Sequence, residues 1–568
     1  MCGIAGMVRF SGLDAAELDA GQRMASRLRH RGPDDTGVYA DTFASIGHTR
    51  LSIIDPSSGR QPMTNEDGTI WVAFNGEIYN HRELADDLRQ RGHKLRTRCD
   101  TEVIPHLYEE YGESFVQKLN GMFAIALWDR ADRKLLLVRD RIGIKPLYYA
   151  LQGDCVVFGS ELKSILASAR RSPSLDPQAL IDYLTFGHVP APRTIYDNVN
   201  KLEPASLLRC TPKRGSRHLY GYMPFTDKLD QRADGACLDE FAETLDRAIK
   251  DRLIADVPLG AFLSGGVDSA GIVAGMNRHM DSPVLTHTVG FDERELDESA
   301  AARETAALLK SDHCEVIVRP DALEALRKLT RHFDEPFADS SAMAVFCVST
   351  VARQRVKIAL SGDGADEMLA GYRRYRFDLT ESAFRAGLPD WFRHGVIAPA
   401  GYVYPKADWL PRPLRAKATL QNLAHDAATA HLRSVAMRAG ALPGELLRGD
   451  VKMHTEGYDP FAAGRLLYAN CPAGDMLNRF LYMDMKTMLP DGILTKVDRA
   501  SMAVGLEVRV PLLDHRVIEC AARLPTHLKL NGRNNKIALR HTVDHWTKPG
   551  FSRRPKKGFD IPLDAWFR

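Results

Sequence analysis

The sequence predicts an α/β protein in two parts: a strand-rich first unit, then a parallel α/β unit that turns mostly helical toward its end. Three observations carry this reading. Short apolar runs, among them Gly3–Val8, Ile70–Phe74, Met122–Trp128 and Lys134–Val138, are separated by Gly, Asp and Asn in the first part. A polar, charged stretch from about Thr211 to Gly235 then has the composition of an interdomain linker. Beyond it, the strand-like runs Val284–Val289, Glu315–Val318 and Val356–Leu360 alternate with helical text, as in a parallel sheet with crossover helices.

The second part begins with apolar residues at helical spacing from Cys237 to Leu253. The apolar run Ala261–Leu263 leads into Ser264-Gly265-Gly266-Val267-Asp268-Ser269, and an apolar helical stretch follows from Ala270 to Met276. From about Phe377 onward the pattern is helical, without an internal repeat or a low-complexity tract.

At 568 residues the chain has room for two to four domains of roughly 100–200 residues each. Lys and Arg number 76 against 73 Asp and Glu, a formal charge of +3, so no nucleic-acid footprint is expected. With 44% hydrophobic residues the chain is no disordered segment. Its nine cysteines are scattered and never spaced CxxC, so they indicate neither a disulfide framework nor a zinc site and suit a reducing cytoplasm. No signal-peptide pattern opens the chain, and Met122–Trp128 falls far short of the ~20 residues of a membrane helix.

One cysteine stands apart. Once Met1 is removed, Cys2 is the N-terminal residue and carries its own base. An α-amine titrates near ~7.7–8.0 and a free thiol near ~8.5, so the amine can take the thiol proton and leave a nucleophilic thiolate. Alone, a cysteine at this position is ordinary; the surrounding text raises its interest. His30-Arg31-Gly32-Pro33-Asp34 precedes Gly47-His48-Thr49-Arg50-Leu51-Ser52-Ile53-Ile54-Asp55; Phe74-Asn75-Gly76-Glu77-Ile78-Tyr79-Asn80 and Cys99-Asp100-Thr101-Glu102 follow. Asn75-Gly76 can place an amide and a backbone N–H together as an oxyanion hole, although Asn-Gly by itself favours a type I′ turn. Arg50 can clamp a carboxylate, and Glu77 with Asp100 can hold an α-ammonium; the plain alternative for all three is solvent.

The Ser264–Ser269 loop joins a strand to a helix, where backbone N–H groups and a helix N-terminus favour an anion. It lacks the Walker A pattern. A second Gly-rich turn, Ser361-Gly362-Asp363-Gly364-Ala365-Asp366-Glu367, follows another apolar strand. Asp268 and Asp366 are a carboxylate pair suited to Mg²⁺, or else helix caps.

Taken together, residues from about 2 to 200 resemble the glutaminase domain of class II glutamine amidotransferases, whose αββα fold is that of N-terminal-nucleophile hydrolases. The SGGVDS string resembles the loop of ATP-pyrophosphatases. From about residue 235 the text resembles the synthetase domain of glutamine-hydrolysing asparagine synthetase and its relative β-lactam synthetase, a Rossmann-like parallel α/β unit with a helical C-terminal part. The implied division is a glutaminase domain at 2–210, a linker at 211–235 and a synthetase domain at 236–568.

The resemblance implies that Cys2 forms a glutamyl thioester, with Asn75 and Gly76 stabilising the oxyanion. It implies further that Arg50, the Leu51–Ile54 backbone (Leu51, Ser52, Ile53 and Ile54), Glu77 and Asp100 bind glutamine. For ATP it implies Leu263 and Val289 at adenine, Ser264, Gly265, Gly266, Asp268 and Ser269 at pyrophosphate, and Ser361 and Gly362 near the ribose or α-phosphate. Mg²⁺ falls to Asp268 and Asp366, and charge stabilisation to Lys536 within Asn535–Arg540. Asp363 stands where the family often has Glu, in a proton-transfer position. Asp491–Ala500 and Glu507–Asp514 are expected to pack the helical part around the site. Arg554–Phe559 with Ile561-Pro562 resembles a segment near the active site, beyond which relatives continue for several helical turns.

The implied reaction releases ammonia from glutamine, adenylates a carboxylate and forms an amide. Aspartate is the leading acceptor; a sugar acid, peptide or natural-product intermediate is the alternative, and a non-catalytic glutamine or nucleotide sensor is a remote third reading. Dimers are common in the family, so a homodimer is among the assemblies to expect.

Overall fold

Apolar runs that are hydrophobic on both faces must be covered on both faces, and the first part solves this with four layers. The structure is a computed structural model that describes residues 1–168, 173–213, 215–221, 223–293, 297–318, 322–405, 416–438, 447 and 449–553. Its strands in chain order begin with β1 (Gly3–Arg9), β2 (Asp35–Ala40), β3 (Ala44–Arg50), β4 (Met63–Thr64), β5 (Ile70–Ile78) and β6 (Gly121–Asp129). There follow β7 (Lys134–Arg139), β8 (Tyr148–Gln152), β9 (Cys155–Gly159), β10 (Asn200–Lys201), β11 (Ser206–Cys210) and β12 (Gly215–Leu219). They form two antiparallel sheets, ordered β10-β8-β9-β1-β3-β2 and β12-β11-β7-β6-β5-β4.

The period of two along each strand assigns the layers. Ile4 and Val8 of β1, Ala73 of β5 and Ala124, Ala126 and Trp128 of β6 share the cluster between the sheets. Their neighbours Ala5 and Met7 pack outward with Met24 and Leu28 near the helix Ala20–Ser26. Val72, Phe74, Phe123 and Ile125 pack outward on the other sheet with Leu88 and Leu107, from the helices His81–Gln90 and Val103–Tyr111. The layering is αββα.

The polar stretch read as a linker contributes a strand of its own. β12 lies within it and pairs antiparallel with β11, from Ser206 opposite Leu219 to Cys210 opposite Gly215. Its exposed residues show no apolar alternation, which is why composition alone reads as a connector. The helix Asp234–Asp251 then opens the second part.

A third sheet is built from β13 (Leu259–Phe262), β14 (Leu285–Gly290), β15 (Asp312–Ile317), β16 (Ile358–Leu360) and β17 (Glu507–Arg509). All its pairings are parallel and its order is β15-β14-β13-β16-β17. The order reverses between β13 and β16, and ligands of such sheets gather outside the strand ends at that switch point. Ser264–Ser269 and Ser361–Gly364 are the two turns that leave those strands. Glu507–Arg509 was expected to pack helices; it is instead an edge strand of this sheet.

Between β16 and β17 the chain is mainly helical, with Arg373–Ala386, Ala427–Val435, Met476–Lys486 and Thr495–Met502 among the helices. One apolar cluster runs across both parts, joining Met1, Leu51, Ile53 and Tyr79 to Leu263, Leu360 and Val508. Among the described residues no helix is long and apolar enough to cross a membrane. The segment from Arg554 to Pro562 lies outside the described residues.

Candidate functional site

Cys2 immediately precedes β1, against the middle of β5. Asn75-Gly76 is not a turn: Asn75 lies opposite Ala124 and Gly76 opposite Phe123 within the β5–β6 ladder. Glycine is needed at 76 because a Cβ there would lie 2.1 Å from the Met122 carbonyl oxygen. Asn75 Oδ1 accepts from the Cys2 backbone N–H at 3.0 Å. Among the described residues Asn75 Nδ2 is buried with no hydrogen-bond partner, an amide donor left open beside the cysteine. Burial pushes the Cys2 thiol up, while the N-terminal ammonium, the Leu51 backbone N–H and Arg50 pull it down.

The rest of this pocket is sorted by charge. Arg50 is buried and donates to the carbonyls of Ile54 at 3.1 Å, Asp55 at 2.7 Å and Pro56 at 2.9 Å. No carboxylate pairs with it among the described residues, so its buried charge is met by backbone carbonyls. Leu51, Ile53 and Ile54 pack with Met1, and the Ser52 N–H donates to Asp34 Oδ2 at 2.9 Å. Opposite lie Glu77 and Asp100, both buried; Asp100 Oδ2 accepts from the Ile78 N–H at 2.9 Å.

Two residues of β17 complete the acidic side, and sequence reasoning missed their place here. Glu507 Oε2 meets the Met1 ammonium at 2.9 Å, and Arg509 reaches Glu77 at 3.4 Å. Burial would raise Glu507, but the ammonium and Arg509 hold it down at about 2. Burial and the adjacent Glu507 push Glu77 well above the usual carboxylate range. The only textual hint was the charge alternation in Glu507-Val508-Arg509, which a periodicity reading cannot place across a domain boundary.

The second site is a cavity of about 480 Å³ at the switch point of the parallel sheet. Leu263, Ser264, Gly266, Asp268, Ser269, Ser361, Gly362, Asp363, Asp366 and Lys536 all line it. The two turns touch, since a Cβ on Gly362 would lie 2.8 Å from Asp268 Cβ. Ser264 and Ser269 hydroxyls bond each other at 2.9 Å, closing the loop onto itself ahead of the helix Val267–Asn277.

Two expected residues stand outside the cavity wall. Gly265 packs on the helix Ser299–Leu309, where a Cβ would meet Ala301 Cβ at 2.4 Å. Val289 enters an apolar cluster with Phe291, Leu329 and Phe333. Of β14, His287 and Thr288 line the cavity and Val289 does not.

Lys536 is 1% exposed, although as a bare residue it reads as surface. Its Nζ lies 2.7 Å from Asp268 and 2.8 Å from Asp366, and its backbone is left-handed at φ 51. The lysine is admitted by Gly371, whose Cβ would come 2.0 Å from Lys536 Cε. Both carboxylates thus converge on a single positive charge, the arrangement a divalent cation requires of them. Asp363 Oδ2 accepts from Ser361 Oγ at 2.6 Å, and burial raises its carboxyl. Glu367, a wall residue that the sequence reading assigned no role, is pushed up to about 7 by burial and by Asp366, and accepts from the Tyr372 hydroxyl.

A buried ion cluster joins the two parts between these sites. Arg31 Nη1 lies 2.9 Å from Glu161 and 2.8 Å from Asp498, and Arg499 lies 2.8 Å from Glu161.

The family model for asparagine synthase matches residues 240–568, and that for a glutamine amidotransferase domain matches residues 1–221. The chain is 32% identical over 575 residues to glutamine-hydrolysing asparagine synthetase 1 of Bacillus subtilis, with all of this chain and 88% of that protein covered. Glutamine-hydrolysing asparagine synthetase 3 of the same organism is 29% identical, covering 96% of this chain and 84% of the relative. A protein of Gibberella zeae named amidase chry2 is 31% identical, covering 100% of this chain and 90% of the relative.

Proposed function

The chain belongs to the asparagine synthase family and is a glutamine-dependent, ATP-using ligase; on that premise we propose that it converts aspartate to asparagine. The observation that carries the glutaminase half is the Asn75 amide, whose oxygen orients the Cys2 nitrogen while its buried Nδ2 stays open. With Met1 removed, that nitrogen is an amine and takes the thiol proton. The thiolate adds to the glutamine side-chain carbonyl, Asn75 Nδ2 and the Gly76 N–H stabilise the oxyanion, and ammonia leaves. Water then hydrolyses the thioester to glutamate. Arg50 pairs with the α-carboxylate, and Glu77, Asp100 and Glu507 receive the α-ammonium where the Met1 ammonium now lies.

In the cavity, backbone N–H groups of the Ser264–Ser269 turn and the following helix N-terminus receive the phosphates of ATP. Leu263 offers an apolar contact to the base. Asp268 and Asp366 would hold a Mg²⁺ ion, which when bound supplies charge neutralisation at the phosphates. An acceptor carboxylate oxygen displaces pyrophosphate from the α-phosphorus to give an acyl-adenylate. Ammonia adds to its carbonyl carbon, AMP leaves, and Asp363 is placed to receive the proton that the nitrogen sheds. Lys536 offsets charge on the transferring phosphate.

Replacing Cys2→Ala is expected to abolish glutamine-dependent synthesis while ammonia still supports it; surviving glutamine use would remove Cys2 from the mechanism. The acceptor is tested by ATP/pyrophosphate exchange across candidate acids. Exchange with aspartate supports asparagine as product, and its absence sinks it. A second reading, a different acceptor carboxylate, is favoured by the amidase-named relative, which matches the whole of this chain. The same assay decides between them.

A further inference from the structure

We propose that Glu66, His93, His106 and Glu109 form a zinc site on the glutaminase domain, outside both reaction centres. The four come from three elements. Glu66 lies in the turn between β4 and β5, His93 lies just past the helix His81–Gln90, and His106 and Glu109 are one turn apart on Val103–Tyr111. One ligand atom from each falls within 4.8 Å of all the others. His106 Nδ1 is 3.1 Å from Glu66 and 3.2 Å from Glu109. His93 Nδ1 is 3.2 Å from Glu66 and 3.9 Å from Glu109. A tetrahedral zinc ion with bonds of ~2.0–2.1 Å spaces its ligands at roughly 3.3–3.4 Å, so only small side-chain shifts are needed.

A second observation points the same way. Glu110 Oε1 lies 3.2 Å from His93 Nε2, the carboxylate-to-imidazole contact that orients metal-bound histidines. With Nε2 facing Glu110, the other ring nitrogen, Nδ1, faces the Glu66 and Glu109 carboxylates. Those carboxylates accept only, and a cation at the centre of the cluster would meet both of them and the two imidazoles. The carboxylates are also oriented: Asn65 Nδ2 donates to the outer oxygen of Glu109, Oε1, at 2.9 Å, and the Lys94 N–H donates at 3.0 Å to Glu66 Oε1, the oxygen that faces His93. Arg91 pairs with Glu110 at 3.2 Å and leaves Glu66 and Glu109 as the net negative charge at the centre. Mixed imidazole and carboxylate donors select zinc over magnesium or calcium, which take oxygen ligands. An ion here would tie the β4–β5 turn and the 91–98 segment to the helix that follows Asp100.

The test uses the full chain, stripped with chelator and dialysed against micromolar zinc chloride, with metal counted per chain. One zinc is expected to remain, and both His93→Gln and His106→Gln are expected to lose it. Glu110→Gln, which touches no ligand atom, is expected to weaken zinc binding by about 10–100-fold. Should His106→Gln fail to fold, the decision falls to His93→Gln, at the rim of the cluster. Absence of retained zinc, or equal retention by the His93 variant, would overturn the proposal.

Discussion

Asn75 shows how one side chain serves two ends of a reaction. Its carbonyl oxygen is committed to Cys2, and its amide nitrogen is buried without a partner among the described residues, within a strand that pairs with β6 along its whole length. Losing one oxyanion donor costs about 10²–10³-fold in turnover. Asn75→Ala is therefore expected to lower glutamine-dependent turnover by that factor and to leave ammonia-dependent synthesis intact, which a side-by-side assay of the two nitrogen sources checks. The motif was legible as an amide beside a nucleophile. Its strand position was not, because Asn-Gly is locally a turn signal and only pairing with β6 overrides it.

At the scale of elements, the helical part is held by a buried polar knot that the sequence did not reveal. His431 on Ala427–Val435 bonds Asp378 of Arg373–Ala386 at 2.7 Å and Asp484 of Met476–Lys486 at 3.0 Å. Tyr375 and Arg374 meet the same Asp484. Burial opposes charge on His431, but the two carboxylates raise it to about 9 from its ordinary 6.5. A raised histidine stabilises fully below pH 6.5, and that contribution is lost as pH rises through about 9. Thermal midpoints should therefore fall across this window, and His431→Gln should flatten the dependence. The variant leaves buried carboxylates short of a cation, at a cost of about 3–5 kcal/mol. Residues so far apart in sequence carry no periodic signature, so a helical pattern gave the elements and not their junction.

At the scale of the molecule, the two parts are joined by one apolar cluster and by buried charges. From within the parallel sheet, the side chains of Glu507 and Arg509 reach the Met1 ammonium and Glu77 beside Cys2, and Arg31, Glu161, Asp498 and Arg499 bury four charges nearby. Removing one partner from such a group strands a buried charge at about 3–5 kcal/mol. Asp498→Ala is expected to destabilise the interface and to depress glutamine-dependent synthesis more than ammonia-dependent synthesis, read as glutamate released per amide formed. Equal losses with both nitrogen sources would confine Asp498 to a role within the synthetase part.

The sequence by itself determined a strand-rich first part and a parallel α/β second part, the cysteine, the amide and the two glycine-rich turns, because strand period, turn chemistry and phosphate-loop spacing are local; the αββα layering was implied only by the family resemblance. It could not place Lys536 between Asp268 and Asp366, turn Val289 into the core, or bring β17 against Glu77. Those depend on strand order, on which face each side chain takes, and on charges that became neighbours only when two separate sheets closed over one buried cluster.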